Sequence, residues 1–321
     1  MTEIRFSDRD EHSEDFIQAL KEGDVEELKK IPKSDLHNHA PLGLRFADFN
    51  SRHEGRIPPP PDYMQGIEAM ADYLEEIVPF MQEREDLEYM LRGCVQTAFD
   101  DGVTVLEASF DCTFLKFYDK NEDYFAFIED LQDEFAPELE LRPDLGVARI
   151  LSPQEWEEYV PPCLESGVFQ GIDLYDQESV NDLDLYRQYY DKARSRDLKI
   201  KAHVGEFCSP EQIEETIEAL EPEAIQHGIT AVDSENTLKM IEERDITLNI
   251  CPTSNVRLGA VERLEDHPLP DLYDRDIAVT VNTDDLLIFD STASGEYLKL
   301  FRHGLLSAEE LDHIRRIGLA E

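Results

Sequence analysis

The sequence predicts an α/β fold: a closed (β/α)8 TIM barrel with a helical insertion after its first strand. Eight short runs rich in apolar and β-branched residues alternate with segments of helical periodicity along 321 residues. Helix-start signals open several of the intervening segments. No GxGxxG or other glycine-rich phosphate cradle follows the first strand, which argues against an open doubly wound sheet. A single domain spanning 1–321 is expected, with 1–32 a helical preface and about 41–100 an insertion near the barrel mouth.

In chain order, 13–30 reads as the helical preface, with Asp24 and Glu27 forming the capping box of its second helix. The first strand is 35–39. The longest gap follows, holding the rigid four-proline run 58–61 and a helical stretch, 64–81, expected to fold over the mouth. Strands two to eight fall at 103–108, 145–150, 168–174, 199–204, 224–228, 246–251 and 277–283. Ser152 with Glu155, Ser209 with Gln212, and Ser307 with Glu310 each pair an N-cap with a third-position partner. Ile213, Ile217 and Leu220 share one face of the helix after strand five, as packing on a barrel requires.

Composition excludes several classes of partner. The chain carries 73 Asp+Glu against 30 Lys+Arg, a formal charge of −43, whereas a nucleic-acid binder needs a basic footprint and an anionic membrane repels such a surface. The acids run along the whole chain as a coat, and only 11 of the 30 basic residues are Lys. This pattern suits a salt-rich, halophilic cytoplasm, where the Debye length falls to about 3 Å at roughly 1 M and self-repulsion is screened. Five cysteines without a CxxC indicate a reducing compartment. The N-terminus has no apolar signal-peptide core, and no run of about 18 apolar residues occurs, so a soluble, cytoplasmic protein is expected.

Chemistry-bearing residues gather at strand ends, where a barrel puts its reactive groups. His37 and His39, two apart on the first strand, point to one side, as suits a transition metal such as zinc. His203 and Glu206 follow the fifth strand, His227 ends the sixth, and Asp284 and Asp285 end the eighth. Each alone has a structural reading, as a core histidine or a helix-capping aspartate. Their joint occurrence at four strand ends is harder to explain that way.

The chain resembles the adenosine/AMP deaminase family of metal-dependent amidohydrolases. The resemblance rests on KSDLHNHA at 33–40, VTVLEASFD at 103–111, GIDLYDQE at 171–178, HVGE at 203–206, IQHGI at 225–229, CPTSN at 251–255 and VNTDDLLIF at 281–289, in the family's order and covering roughly 30–320. It implies one Zn2+ held by His37, His39, His203 and Asp284. It also implies that His227 orients and deprotonates a water, that Glu206 holds a proton for purine N1, and that Asp285 contacts the base. Asp176 and Gly205 join Asp285 as expected substrate contacts. The fourth strand has no Lys to be carbamylated, so one metal is favoured over two. The cytidine-deaminase pattern fails because Pro162-Cys163 is not completed as PCxxC.

Two departures fall on substrate recognition. The family's HxHLDG acid is missing from His39-Ala40-Pro41-Leu42-Gly43, and Asp176 stands where GIDLAGDE has its second glycine. The implied reaction is hydrolytic deamination of an aminopurine, adenosine to inosine plus ammonia first, with adenine, AMP or an N6-substituted adenine as alternatives. A neutral purine nucleoside or base is the expected small-molecule partner, since a nucleotide would need local cations in so negative a field. Arg45, Arg52 and Arg56 could form such a site or belong to a solvated helix face. A catalytically inactive binding protein of the same fold is the reading from another class; it has no need of both a ligand set and a proton donor.

The acidic coat predicts that the thermal unfolding midpoint rises with KCl concentration from dilute buffer into the molar range. Greater stability at low salt would refute adaptation to a saline cytoplasm.

Overall fold

The computed structural model describes residues 9–321; the first eight residues of the expected preface lie outside these. All eight expected strands form, in one parallel sheet of sequential order: β1 Lys33–His39, β2 Val103–Asp111, β3 Glu140–Ala148, β4 Gly171–Tyr175, β5 Lys199–Val204, β6 Ala224–His227, β7 Thr247–Ile250 and β8 Val279–Val281. Between β8 and β1 the barrel closes by a parallel bridge, Asn38 to Asp284, with the Asp284 N–H donating to the His37 carbonyl at 2.9 Å. Helices cover the outside, and Ile213, Ile217 and Leu220 are fully buried against the sheet. Among the described residues, no helix is long and apolar enough to cross a membrane.

Several boundaries differ from expectation for identifiable reasons. β3 starts at Glu140, because its polar first half is stabilised by pairing: Arg142 binds Glu140 at 2.9 Å and reaches Glu107 on β2 at 3.4 Å. Pro143 supplies its carbonyl to the Gln170 N–H at 2.8 Å, so the missing proline donor does not stop the strand. Ser152 and Ser307 make full capping boxes. Ser209 does not cap its helix; its hydroxyl is taken by Glu211 and the Gln212 side chain by the Glu178 carbonyl. Asp24 accepts from the Glu27 N–H at 3.1 Å, but the Glu27 carboxylate turns to Lys30 at 2.6 Å, so only half of that box forms.

The interior below the strand ends is polar where such barrels usually hold branched aliphatics. A bulge in β1 sets this up: Asp35 pairs with Leu106 and Asn38 with Ala108, three steps against two. The Leu36 peptide thereby leaves the ladder and is held by side chains instead. Its N–H donates to Asn282 at 2.7 Å, and its carbonyl accepts from Asn249 at 3.2 Å and from Gln226 and Lys201 at 3.4 Å each. Lys201 is fully buried, 2.5 Å from both Glu107 and Asp144. Burial disfavours its charge, but the two carboxylates outweigh that and hold it protonated.

After β1, a helix Gly66–Ile77 buries Met70, Tyr73 and Ile77 against Leu42, Phe49 and Ile57. The Tyr73 hydroxyl donates to the Pro58 carbonyl at 3.0 Å, tying the helix to the proline run. The segment is joined to the chain after β7 by Met64 N–H to Arg257 O and Gly66 N–H to Leu258 O, each 2.8 Å. It therefore lies over one end of the barrel, where the strand C-termini open.

Removing the Lys201 charge strands two buried carboxylates, so Lys201→Met should lower unfolding free energy by about 3–5 kcal/mol. Denaturant titration measures this; a loss under about 1 kcal/mol would show that the triad does not secure the barrel interior.

Candidate active site

A cavity of about 400 Å3 opens at the strand C-terminal ends. His39, His203, Glu206, His227, Asp284 and Asp285 line its floor, with Asp176 on its wall. His37 stands directly behind, its ring centroid 4.5 Å from His227 and 4.6 Å from His203. Eight of the nine residues singled out from the sequence therefore meet here. Gly205 does not line the cavity. Its φ of +85° and the close approach of Ile213, 2.5 Å from where a Cβ would stand, account for a glycine there.

The donor atoms converge. His203 Nε2 lies 3.2 Å from His39 Nε2, and Asp284 Oδ1 lies 3.4 Å from His39 Nε2 and 3.7 Å from His37 Nε2. Ligand atoms about 2.0–2.1 Å from a tetrahedral zinc stand roughly 3.4 Å apart, so the spacing fits one ion. His37 Nε2 is buried without a hydrogen-bond partner, an orphan that a metal would satisfy. Three of the four are held from behind: His37 Nδ1 by the Asn249 carbonyl at 3.0 Å, His203 Nδ1 by Asp173 at 3.1 Å, and Asp284 Oδ2 by the Ser254 hydroxyl at 2.6 Å. Burial pushes His37 down to about 3 and lowers His39, keeping both imidazoles neutral, each with one nitrogen free to bind a metal. Burial opposes ionisation of Asp173 too, but His203 and Lys201 outweigh it and hold that carboxyl well below its usual range. Cys251 also lies within reach of His37 and Asp284; burial and nearby carboxylates keep it a thiol, a poor ligand.

Glu206 and Asp285 are the opposite case. Burial, then the neighbouring Asp284, raises both well above the ordinary carboxyl range, so both are held protonated. One oxygen of Asp285 is buried without a partner. Glu206 Oε1 accepts from Asn255 Nδ2 at 2.6 Å.

Asn255 belongs to a hydrogen-bond relay whose direction is fixed by the backbone. The Leu269 N–H donates to His267 Nδ1 at 3.1 Å, which makes His267 Nε2 the protonated nitrogen. That nitrogen faces Asn255 Oδ1 at 3.2 Å, so the Asn255 amide must point its NH2 toward Glu206 and toward His227 Nδ1, 3.1 Å away. Burial lowers His227 well below its usual range. A neutral imidazole that accepts at Nδ1 carries its proton on Nε2, here 3.6 Å from Glu206 and 3.9 Å from Asp284.

The backbone is unusual at three of these positions. Asp176, His227 and Asp284 have φ of +79°, +67° and +60°, in the left-handed region that favours glycine. Such strain gathers at functional sites, at about 1–3 kcal/mol each. It also explains the Asp176 departure: the position needs a glycine-like φ, which Asp tolerates better than most residues.

Sequence reasoning did not assign Asp173, Glu178, Ser254, Asn255 or His267. Glu178 takes the N–H groups of Glu206, Phe207 and Cys208 at 3.0, 2.7 and 2.8 Å and so shapes the loop that carries Glu206. Four of the five lie inside motifs already singled out, whereas His267 has no local signal at all. The arginines after β1 are surface groups. Arg52 pairs with Asp86 at 2.8 Å over the Tyr89 ring, and Arg56 bonds the His53 carbonyl at 3.0 Å.

Comparison with known proteins gives a consistent picture. The family model described as adenosine deaminase matches residues 62–320. A protein of Treponema pallidum (strain Nichols), provisionally named an adenosine/adenine deaminase, is 32% identical over 88% of this chain and 95% of its own length. The adenine deaminase structure from Arthrobacter aurescens superposes with a TM-score of 0.78 at 22% identity, covering 90% of this chain and 93% of that one. A Burkholderia ambifaria amidohydrolase structure with bound Zn gives 0.75 at 20% identity, covering 91% and 86%.

Proposed function

The chain belongs to the adenosine deaminase family of hydrolytic purine deaminases, and from that premise we propose that it is a one-zinc enzyme converting adenosine to inosine and ammonia. The observation that carries this reading is the convergence of three imidazole nitrogens and one carboxylate at metal-like spacing, beside a carboxylic acid held protonated. Free adenine is the nearest alternative, and AMP or an N6-substituted adenine stand behind it. Among the described residues, no lysine or arginine lines the cavity, which disfavours a phosphorylated substrate.

His37, His39, His203 and Asp284 would hold the ion. Zinc in such a set lowers the pKa of a water to about 7 and so supplies a nucleophile at neutral pH. Glu206 gives its proton to ring N1 as the oxygen adds to C6, where aromaticity is lost. Of the two water protons, one leaves on ammonia and the other restores Glu206. Asp285, also protonated, can donate to the ring acceptor N7 and fix the base.

The proton on His227 Nε2 changes the role expected from sequence. A nitrogen that already carries a proton cannot remove another from water. His227 therefore orients the attacking oxygen as a donor, with Asn255 and His267 fixing its tautomer.

In an ultraviolet screen of adenosine, deoxyadenosine, adenine, AMP and N6-methyladenine species, run in high KCl with metal analysis, adenosine should be deaminated by protein holding one zinc per chain. Absence of both metal and ammonia would overturn the proposal. Glu206→Gln should keep zinc and lose about 10²–10⁴-fold in kcat, while His203→Ala should lose both. Retained turnover in the first variant would remove Glu206 from its role. His267→Phe should keep zinc but lower kcat about tenfold or more, and nitrogen-15 spectra should find His227 protonated at Nε2 in the parent protein. A proton on Nδ1 would restore His227 as the base.

A further inference from the structure

Three of the four candidate metal ligands have a hydrogen-bonded partner behind them, and His39 does not. Its close polar neighbours are fellow ligands, His203 at 3.2 Å and Asp284 at 3.4 Å from Nε2. Among the described residues, no hydrogen bond reaches its other ring nitrogen. An imidazole without such a partner can turn about the bond to its ring unless packing stops it.

Tyr175, the last residue of β4, supplies that packing. Its ring meets the His39 imidazole at a centroid distance of 4.9 Å and an interplanar angle of 71°, and its centroid stands 6.0 Å from that of His203. Edge-to-face contacts are directional, so a tyrosine ring that cannot move sets the plane of the imidazole against it.

The tyrosine ring is itself secured on two sides. From β4 it reaches across β3, over Gly146, to β2, where its hydroxyl donates to Asp111 Oδ2. The other Asp111 oxygen accepts from the Thr113 N–H at 2.7 Å, which ties the acceptor to the turn after β2. Gly146 is the ladder partner of Asp111, and a Cβ on it would lie 2.9 Å from Tyr175 Cε1. No left-handed φ calls for glycine at 146; what the glycine provides is room for the ring. The GIDLAGDE pattern has alanine where Tyr175 stands, and an alanine side chain could make none of these contacts.

We propose that Tyr175 is a positioning residue: seated on Gly146 and anchored by Asp111, its ring orients His39 toward the metal in place of a hydrogen bond from behind. This rests on the one-zinc reading above. The effect passes through a ligand, so it is read first in the metal and only then in turnover.

The test measures the zinc affinity of the full-length protein by competition with a chelator, and the absorption of its cobalt-substituted form, whose d–d bands report ligand geometry. Tyr175→Ala should bind zinc about ten- to a hundredfold more weakly and shift the cobalt bands. Tyr175→Phe keeps the ring and should recover most of that affinity. Gly146 lies outside the cavity lining, yet Gly146→Ala, by displacing the ring, should weaken zinc binding about threefold or more. Added to Tyr175→Ala it should weaken binding no further, since there is no ring left to displace. Should Tyr175→Ala fail to fold, Gly146→Ala decides alone. Unchanged zinc affinity and cobalt bands in the folded variants would overturn this inference and leave the one-zinc reading standing. A parent protein that binds no zinc would overturn both.

Discussion

The site depends on how the barrel closes. At the seam between β8 and β1, the Asp284 N–H meets the His37 carbonyl at 2.9 Å, joining groups from opposite ends of the sequence through their backbones. Two candidate ligands are thereby set side by side before any side chain is considered. Just before the seam β1 bulges against β2, restoring the register that held at Lys33 and taking the Leu36 peptide out of the ladder. Asn282, Asn249, Gln226 and Lys201 then supply the missing hydrogen bonds. The polar barrel interior thus answers the bulge, and Lys201 needs Glu107 and Asp144 because a lone buried cation would not be tolerated.

Electrostatics divide the buried carboxyls by neighbour. Asp173 sits against His203 and near Lys201 and stays charged; Glu206 and Asp285 sit against Asp284 and stay protonated. The same burial that protonates these acids keeps His37, His39 and His227 neutral. Neutral imidazoles beside acids that keep their protons form the division of labour that metal-assisted addition to a purine needs. The net charge of −43 describes the solvent-facing coat, and the reaction uses very few of those acids.

Much of this was legible in the sequence, and the reasons for the rest are physical. Strand periodicity reveals which residues face inward, so His37, His39, His203 and the Asp284–Asp285 pair could be found as ends of strands. The polar start of β3 was missed because Arg142 looks solvent-exposed until its partners Glu107 and Glu140 are known. Positive φ at His227 and Asp284 falls on residue types that tolerate it, but those types occur far more often in ordinary conformations and so do not reveal it. His267 is visible only once folding brings it against Asn255, and the proton position on His227 follows from a backbone N–H at Leu269 that no motif contains. The helix Gly66–Ile77 falls within the stretch expected to be helical; that Ile67, Met70, Ala71 and Leu74 line the cavity depends on where the insertion docks.

In the proposed enzyme, one metal ion would tie the seam to the chemistry. Anomalous diffraction at the zinc edge, on crystals of protein purified without chelator, tests it most directly. A single peak about 2.0–2.2 Å from His37 Nε2, His39 Nε2, His203 Nε2 and an Asp284 oxygen is the predicted result. Two peaks, or none within bonding distance of these four residues, would contradict the account.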